Sequence, residues 1–221
     1  MDFNSKQVRA ERIRWFQHDR FGMFIHWGLY AIPARGEWLR YYERVDDEHY
    51  EPYFREFNPV KYDPRQWARI AKAAGMKYAV LTAKHHDGFC LFDSAQTDFK
   101  STNTPCGRDL VREFVEAFRA EGLKVGLYFS LLDWHHPDFP EFDGIIHTDE
   151  YLKKNPRKGY DNYLKFMHAQ IEELLTNYGH LDIMWFDYSY GEMRGEKWGA
   201  SHIIEMVRKY QPHLITDNRL E

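Results

Sequence analysis

Leu181-Asp-Ile-Met-Trp-Phe-Asp187-Tyr-Ser-Tyr190 is the stretch on which the fold of this chain turns. Ile183, Met184, Trp185 and Phe186 form a short apolar run, the pattern of a parallel strand buried on both faces. The run ends on a carboxylate, Asp187, set among aromatic residues. Barrels of the α/β type place their catalytic groups at this point, the carboxyl end of a buried strand. Read alone, Asp187 could equally cap the turn that follows. The other strands decide, because several of them end the same way.

Working outward, Phe21–Trp27 reads as an apolar strand ending on His26. Lys77–Ala83 runs into Lys84-His85-His86-Asp87-Gly88. Val125–Ser130 carries Tyr128 and leads to Asp133-Trp-His135-His136. His213–Asp217 leads to Asn218 and Arg219. Helical periodicity fills the intervals: residues 5–19, a helix opened by Asp63-Pro64 and stopped by Gly75, then 108–121, 161–178 and 198–210. Connections after strands are longer than those before them, and the stretches 28–62 and 88–107 are expected to be functional loops. The expected fold class is α/β: a (β/α)8 TIM-barrel-like domain, incomplete, with about five to six βα units. It is expected to occupy 1–221 as a single domain. A doubly wound open sheet is the alternative, but no G-x-G-x-x-G follows the first strand. Open parallel edges call for cover. Self-association as a homo-oligomer, or packing by the N-terminal segment, is expected to supply it.

Composition narrows the partners. The 221 residues carry a formal net charge of −4 with no long basic or acidic run, which argues against nucleic acid and anionic membrane. No apolar run is long enough to span a bilayer. Met1–Arg14 is charged and lacks a signal-peptide core, so a cytoplasmic location with Cys90 and Cys106 reduced is expected. Aromatic residues make up 17% of the chain. That excess suits rings that stack on sugars as well as it suits core filling.

Each strand-end residue has a bland reading: a satisfied core histidine, a turn cap, a surface arginine. Their joint placement points to one mouth. Two chemistries fit. A metal-dependent hydrolase could use His26, His85, His86, His135, His136 and Asp187, although the first strand lacks a His-x-His pair. Glycoside hydrolysis uses a carboxylate nucleophile, neutral donors to sugar hydroxyls and aromatic rings against the sugar's apolar face. The aromatic excess favours the second.

The segments Met23-Phe-Ile-His-Trp-Gly28, Gly36-Glu-Trp38, Lys84-His-His-Asp-Gly-Phe89, Phe92-Asp-Ser94, Thr97-Asp-Phe99, Gly126-Leu-Tyr-Phe-Ser130, Asp133-Trp-His135 and Trp185-Phe-Asp187 together resemble the α-L-fucosidases of glycoside hydrolase family 29. The likeness runs in order along nearly the whole chain. It implies a retaining hydrolase that needs no cofactor and no metal. Asp187 would be the nucleophile and form a covalent fucosyl-enzyme. His26, His85 and His86 would hold fucose hydroxyls, with Glu37 and Trp38 at the pocket side, Tyr128 beside the nucleophile, Trp185 lining the sugar and Arg219 as a pocket arginine. The substrate would be a fucosylated glycan or an aryl fucoside. In that family the acid/base carboxylate and a β-sandwich follow the portion seen here. Glu37, Asp133 and Glu221 are weak stand-ins for that carboxylate, so activity is expected mainly on activated aryl fucosides. Fucose binding without turnover is the third reading.

Overall fold

The computed structural model describes residues 6–140, 146–147, 149–157 and 159–220. Ser5, where the first helix was expected to begin, and Glu221 lie outside them. Along the chain come α1 (Lys6–His18), β1 (Gly22–Ile25), α2 (Leu39–Tyr42), α3 (Asp47–Glu56), α4 (Pro64–Ala73) and β2 (Tyr78–Lys84). Then follow α5 (Leu110–Ala120), β3 (Lys124–Ser130), α6 (Asp149–Lys154), α7 (Tyr160–Asn177), β4 (Ile183–Asp187), α8 (Ala200–Tyr210) and β5 (Ile215–Thr216). The five strands are all parallel and lie in sequence order, β1-β2-β3-β4-β5.

The sheet is rolled, not flat. Neighbouring strands sit about 4.8 Å apart, so β1 and β4 would be roughly 14 Å apart in a plane. Yet the rings of Phe24 on β1 and Trp185 on β4 meet, with centroids 5.5 Å apart. The concave face carries Val80, Tyr128 and Ile183, with Tyr78 beneath them. It is crowded at Gly126, where an added Cβ would come within 2.8 Å of both Ile183 and Val80. The convex face packs Leu81, Leu127, Phe129, Met184 and Phe186 against Phe114, Phe118, Ile171, Leu174 and Val207 of the helices. This is the open, barrel-type α/β sheet expected from the strand-helix alternation.

Helix starts follow their caps. The Asp63 carboxylate accepts from the Gln66 amide at 2.9 Å, and that of Asp109 accepts from the Arg112 amide at 2.9 Å. The first helix plugs one end of the sheet. Trp15 of α1 packs edge-on to Tyr78, 6.0 Å between centroids, and closes the amino-terminal end of the concave face. This packing closes an end of the hollow, whereas the cover expected of the N-terminal segment was for the open strand edges.

Two readings need correction. The stretch 28–62 is not one irregular connection, because α2 and α3 lie within it. The signals of α3 were there to read: Asp46 caps it, accepting from the His49 amide at 3.0 Å, and Tyr50, Tyr53, Phe54 and Phe57 share the face that packs on the core. Helix α6 is six residues, DEYLKK, with no apolar stripe to announce it. Helix α4 rests on Ala68 and Ala71, with Ile70 61% exposed. The Ile183–Phe186 run is not buried on both faces, since Trp185 points into the open hollow and is 37% exposed. Both cysteines are free thiols. Among the described residues no helix is long and apolar enough to cross a membrane.

Candidate active site

The hollow opens at the carboxyl ends of the strands, and Asp187 ends β4 inside it. Both of its oxygens are held. Tyr128, across the β3–β4 pair, donates its O–H to Asp187 Oδ2 at 2.7 Å, and the Tyr188 amide donates to Oδ1 at 2.8 Å. That amide is turned back by a φ of +78° at Tyr188, a conformation costly for a residue with a side chain. The Asp187 side chain still keeps 23% of its surface accessible. The carboxylate is thus fixed by two donors and open on one side.

Three imidazoles face it. His26 lies 4.7 Å from His85, and His85 lies 4.2 Å from His86, centroid to centroid. Strict alternation along β2 would put His85 and His86 on opposite faces. But β2 ends at Lys84, and the two histidines lie in the turn beyond it, so alternation no longer holds and both rings end at the hollow. The turn that follows needs Gly88: its φ is +80°, and a Cβ there would come within 2.4 Å of Asp133 Oδ1.

The hydrogen bonds set the tautomer of His86. Ser130 Oγ lies 2.6 Å from both the Leu132 carbonyl and His86 Nδ1. The carbonyl can only accept, so it takes the hydroxyl proton, and His86 Nδ1–H must donate to Ser130. Nε2 is then a lone pair, 3.8 Å from Asp187 Oδ2. Two acceptors facing one another leave a place for a hydroxyl group that donates. Burial pushes the His86 ring down to about 4, and it drives His85 well below the usual histidine range. Burial lowers His26 as well, against the pull of Glu37 and Asp187. At neutral pH all three are uncharged, and they are suited to hydroxyl groups. His85 Nδ1 is buried with no hydrogen-bond partner, as expected of an atom that a ligand satisfies.

The remaining expected residues are placed less uniformly. The Trp38 ring stands 4.9 Å from His86 and 5.5 Å from Trp134, so it walls the hollow. Trp185 meets Phe24 opposite. Glu37 is partly buried within electrostatic reach of His26. Arg219 lies over the Tyr190 ring, 5.3 Å from its centroid, and donates to the Tyr190 hydroxyl. It reaches Asp187 only through its field. Asp133 is not available as an acid. It is buried, one oxygen accepts from Lys84 Nζ at 3.1 Å, and the other accepts from the His135 and His136 amides. His135 stacks on Phe99 and His136 packs on Phe166, away from the hollow. Among the described residues no three His, Cys, Asp or Glu side chains are grouped to hold a metal ion.

The sequence reading missed Phe24, Tyr30, Ser130 and Trp134. Tyr30 bonds His26 Nδ1 through its hydroxyl at 2.8 Å. The two-residue strand period could have found Phe24 from His26 and Ser130 from Tyr128. No local signal marks Tyr30 or Trp134, which arrive from loops.

Fold and site together define a partial (β/α)-barrel domain whose strand ends carry one accessible, doubly held carboxylate in a pocket of neutral imidazoles and rings. The α-L-fucosidase family model matches residues 2–221, and the chain belongs to that family. It is 38% identical over 217 residues to the plasma α-L-fucosidase of Homo sapiens, covering 90% of this chain and 44% of the human protein. It is 40% identical over 141 residues to the tissue enzyme of Rattus norvegicus, covering 56% of this chain and 30% of that one. Among solved structures, α-L-fucosidase isoenzyme 1 from Paenibacillus thiaminolyticus superposes with a TM-score of 0.92 at 62% identity. That match covers 96% of this chain and 51% of the bacterial one. The α-L-fucosidase AlfC from Lactobacillus casei, in complex with α-L-fucose product, gives 0.84 at 32% identity over 96% of this chain and 71% of its own. The chain thus spans less than half the length of these two mammalian relatives.

Proposed function

We propose that this chain forms the fucose-binding and nucleophilic part of an α-L-fucosidase acting on fucosylated glycans or aryl fucosides. One observation carries the reading. Asp187 is fixed by Tyr128 and Tyr188, remains accessible, and faces the acceptor nitrogen of a neutral His86. In this reading Asp187 attacks the anomeric carbon of L-fucose as the glycosidic bond breaks and the aglycone departs. Water then attacks the anomeric carbon from the face the aglycone left and displaces the Asp187 carboxylate, and the two inversions retain configuration. His26, His85 and His86 hold hydroxyls. Trp38, Trp185 and Phe24 pack on the C–H faces of the sugar. Glu37 and Arg219 stand at the rim, and Arg219 would leave Tyr190 to reach a bound ligand. Self-association across the open β5 edge belongs to the same proposal, and the mass in solution measures it.

The test is hydrolysis of an aryl α-L-fucoside alongside calorimetric binding of L-fucose. Wild type should do both, whereas Asp187→Ala should bind and not hydrolyse. A wild type that binds without hydrolysing would move the reading to sugar binding alone. Absence of binding would remove the sugar site altogether.

A further inference from the structure

Beside the hollow, an aromatic step leads outward. Trp38 touches His86 on its inner side. On its outer side it meets Tyr41, 5.4 Å between centroids, and Tyr42 at 6.3 Å; the two tyrosines lie 5.3 Å apart. Exposure rises along the step, to 39% at Tyr41 and 76% at Tyr42. Large rings held in water cost solvation unless something covers them, and a contiguous exposed patch next to a ligand pocket marks a contact surface.

The step is held rigid from beneath. Leu39 and Arg40, the other half of the one-turn α2, are buried. Arg40 donates from Nε to the Val45 carbonyl at 3.1 Å and from Nη2 to Asp47 at 2.6 Å, and its guanidinium lies over the Tyr50 ring. Arg35 pairs with Glu43 at 2.9 Å across the loop. Ala34, Gly36 and Arg44 all hold positive φ, an unusual density of left-handed residues that fixes the loop's shape. Anchoring α2 by Leu39 and Arg40 leaves Tyr41 and Tyr42 on its free side.

We propose that Trp38, Tyr41 and Tyr42 form the subsite for the aglycone sugar, with a pyranose ring stacked on the exposed Tyr42 and bordered by Tyr41, which stands edge-on to it, next to the residue bound at His86. The inference rests on the sugar-site reading above and adds to it which face the leaving sugar occupies. Continuity names the occupant: the platform begins at a ring that already walls the hollow. Tyrosine suits it, offering a flat apolar face at low entropy cost with a polar tip for hydroxyls.

The experiment uses the full chain with Asp187→Asn, which prevents turnover. Calorimetry compares L-fucose with the disaccharide Fucα(1,6)GlcNAc. The disaccharide should bind roughly 3- to 10-fold tighter, the range expected of one ring stacked on a tyrosine. Tyr42→Ala and Tyr41→Ala should each reduce that advantage and leave L-fucose binding unchanged, while Tyr42→Phe should retain it. Melting temperature should not move, given the exposure of Tyr42. L-fucose binding with the disaccharide advantage unaltered by either alanine overturns this inference alone. An unaltered advantage with a changed mass in solution overturns it in favour of a second copy of the chain on the same rings. No binding of L-fucose overturns the sugar-site reading itself.

Discussion

Asp87 follows the histidine pair and is the most informative residue to change. Its side chain is buried, 1% exposed, and accepts from the Tyr50 hydroxyl at 2.8 Å and the Phe89 amide at 3.2 Å. Those two bonds do not repay its desolvation, and burial pushes the carboxyl up to about 6 from an ordinary 3.8. The folded protein therefore binds the proton more tightly than the unfolded chain does. Stability from this group is fully present below about pH 4 and is lost as pH rises through 6. Two pH units correspond to about 3 kcal/mol. Asp87→Asn keeps the shape and removes the charge. Its melting temperature should match wild type near pH 4 and exceed it at pH 8 by about 6–12 °C, at the 2–4 °C per kcal/mol typical of this size. Thermal unfolding from pH 4 to 8 in steps of half a unit measures the difference between the two proteins. All other titrating groups are common to both and cancel. A difference that stays flat with pH, or a variant that is the less stable at pH 8, would refute the claim that an ionised carboxylate is tolerated here at a cost.

Two further substitutions address the site directly. Tyr128→Phe removes a hydrogen bond to an ionised partner, in the class of about 1.5–3 kcal/mol, so turnover of an aryl fucoside should fall roughly 10- to 150-fold. Pre-steady-state kinetics should show the ester to Asp187 accumulating, since the departing carboxylate loses its donor; an undiminished rate would leave the Tyr128–Asp187 bond without a role. Ser130→Ala strips the acceptor from His86 Nδ1 and should lower unfolding free energy by about 1–3 kcal/mol in urea melts. It should also weaken L-fucose binding, because His86 is then free to place its proton on Nε2; unchanged affinity would contradict the tautomer assigned here.

What could be read from the sequence follows physical lines. The strands, the capped helices and the convergence of His26, His85, His86, Tyr128 and Asp187 were legible because each rests on a local signal: an apolar run, an Asp cap, a polar residue at a run's end. Trp38 was found through the family resemblance, not by periodicity. Helix α3 was legible too, from its Asp46 cap and the Tyr50, Tyr53, Phe54 and Phe57 stripe, but was passed over inside a polar stretch. The full burial assigned to Trp185 failed because a rolled sheet has a hollow on one side, and no local pattern distinguishes a filled interior from a hollow one. Arg219 was placed at the pocket by resemblance, and the structure sets it on Tyr190. A long cationic side chain adopts whichever acceptor is present, which spacing along the chain does not encode.

The same five residues, Lys84 to Gly88, explain why the site is both polar and stable. Lys84 points outward from β2 into a dry environment, 4.4 Å from the Phe129 ring centroid, and is neutralised by Asp133. Losing either partner alone would strand a buried charge, a cost of several kcal/mol. The pair thereby ties β2 to the loop after β3. That loop returns the favour at His86, whose carbonyl accepts from the Trp134 amide at 2.8 Å. His86 is thus held at its ring by Ser130, at its backbone by Trp134, and through the strand by Lys84. The irregularity at Thr82–Lys84 turns Lys84 to the core, and the strand ends there, so His85 and His86 turn to the hollow beyond it. An insertion or deletion of one residue there would carry Lys84 toward the hollow and a histidine into the core. Both fold and site would be lost together, so the spacing of Lys84-His85-His86 is constrained by the buried pair as firmly as by any ligand.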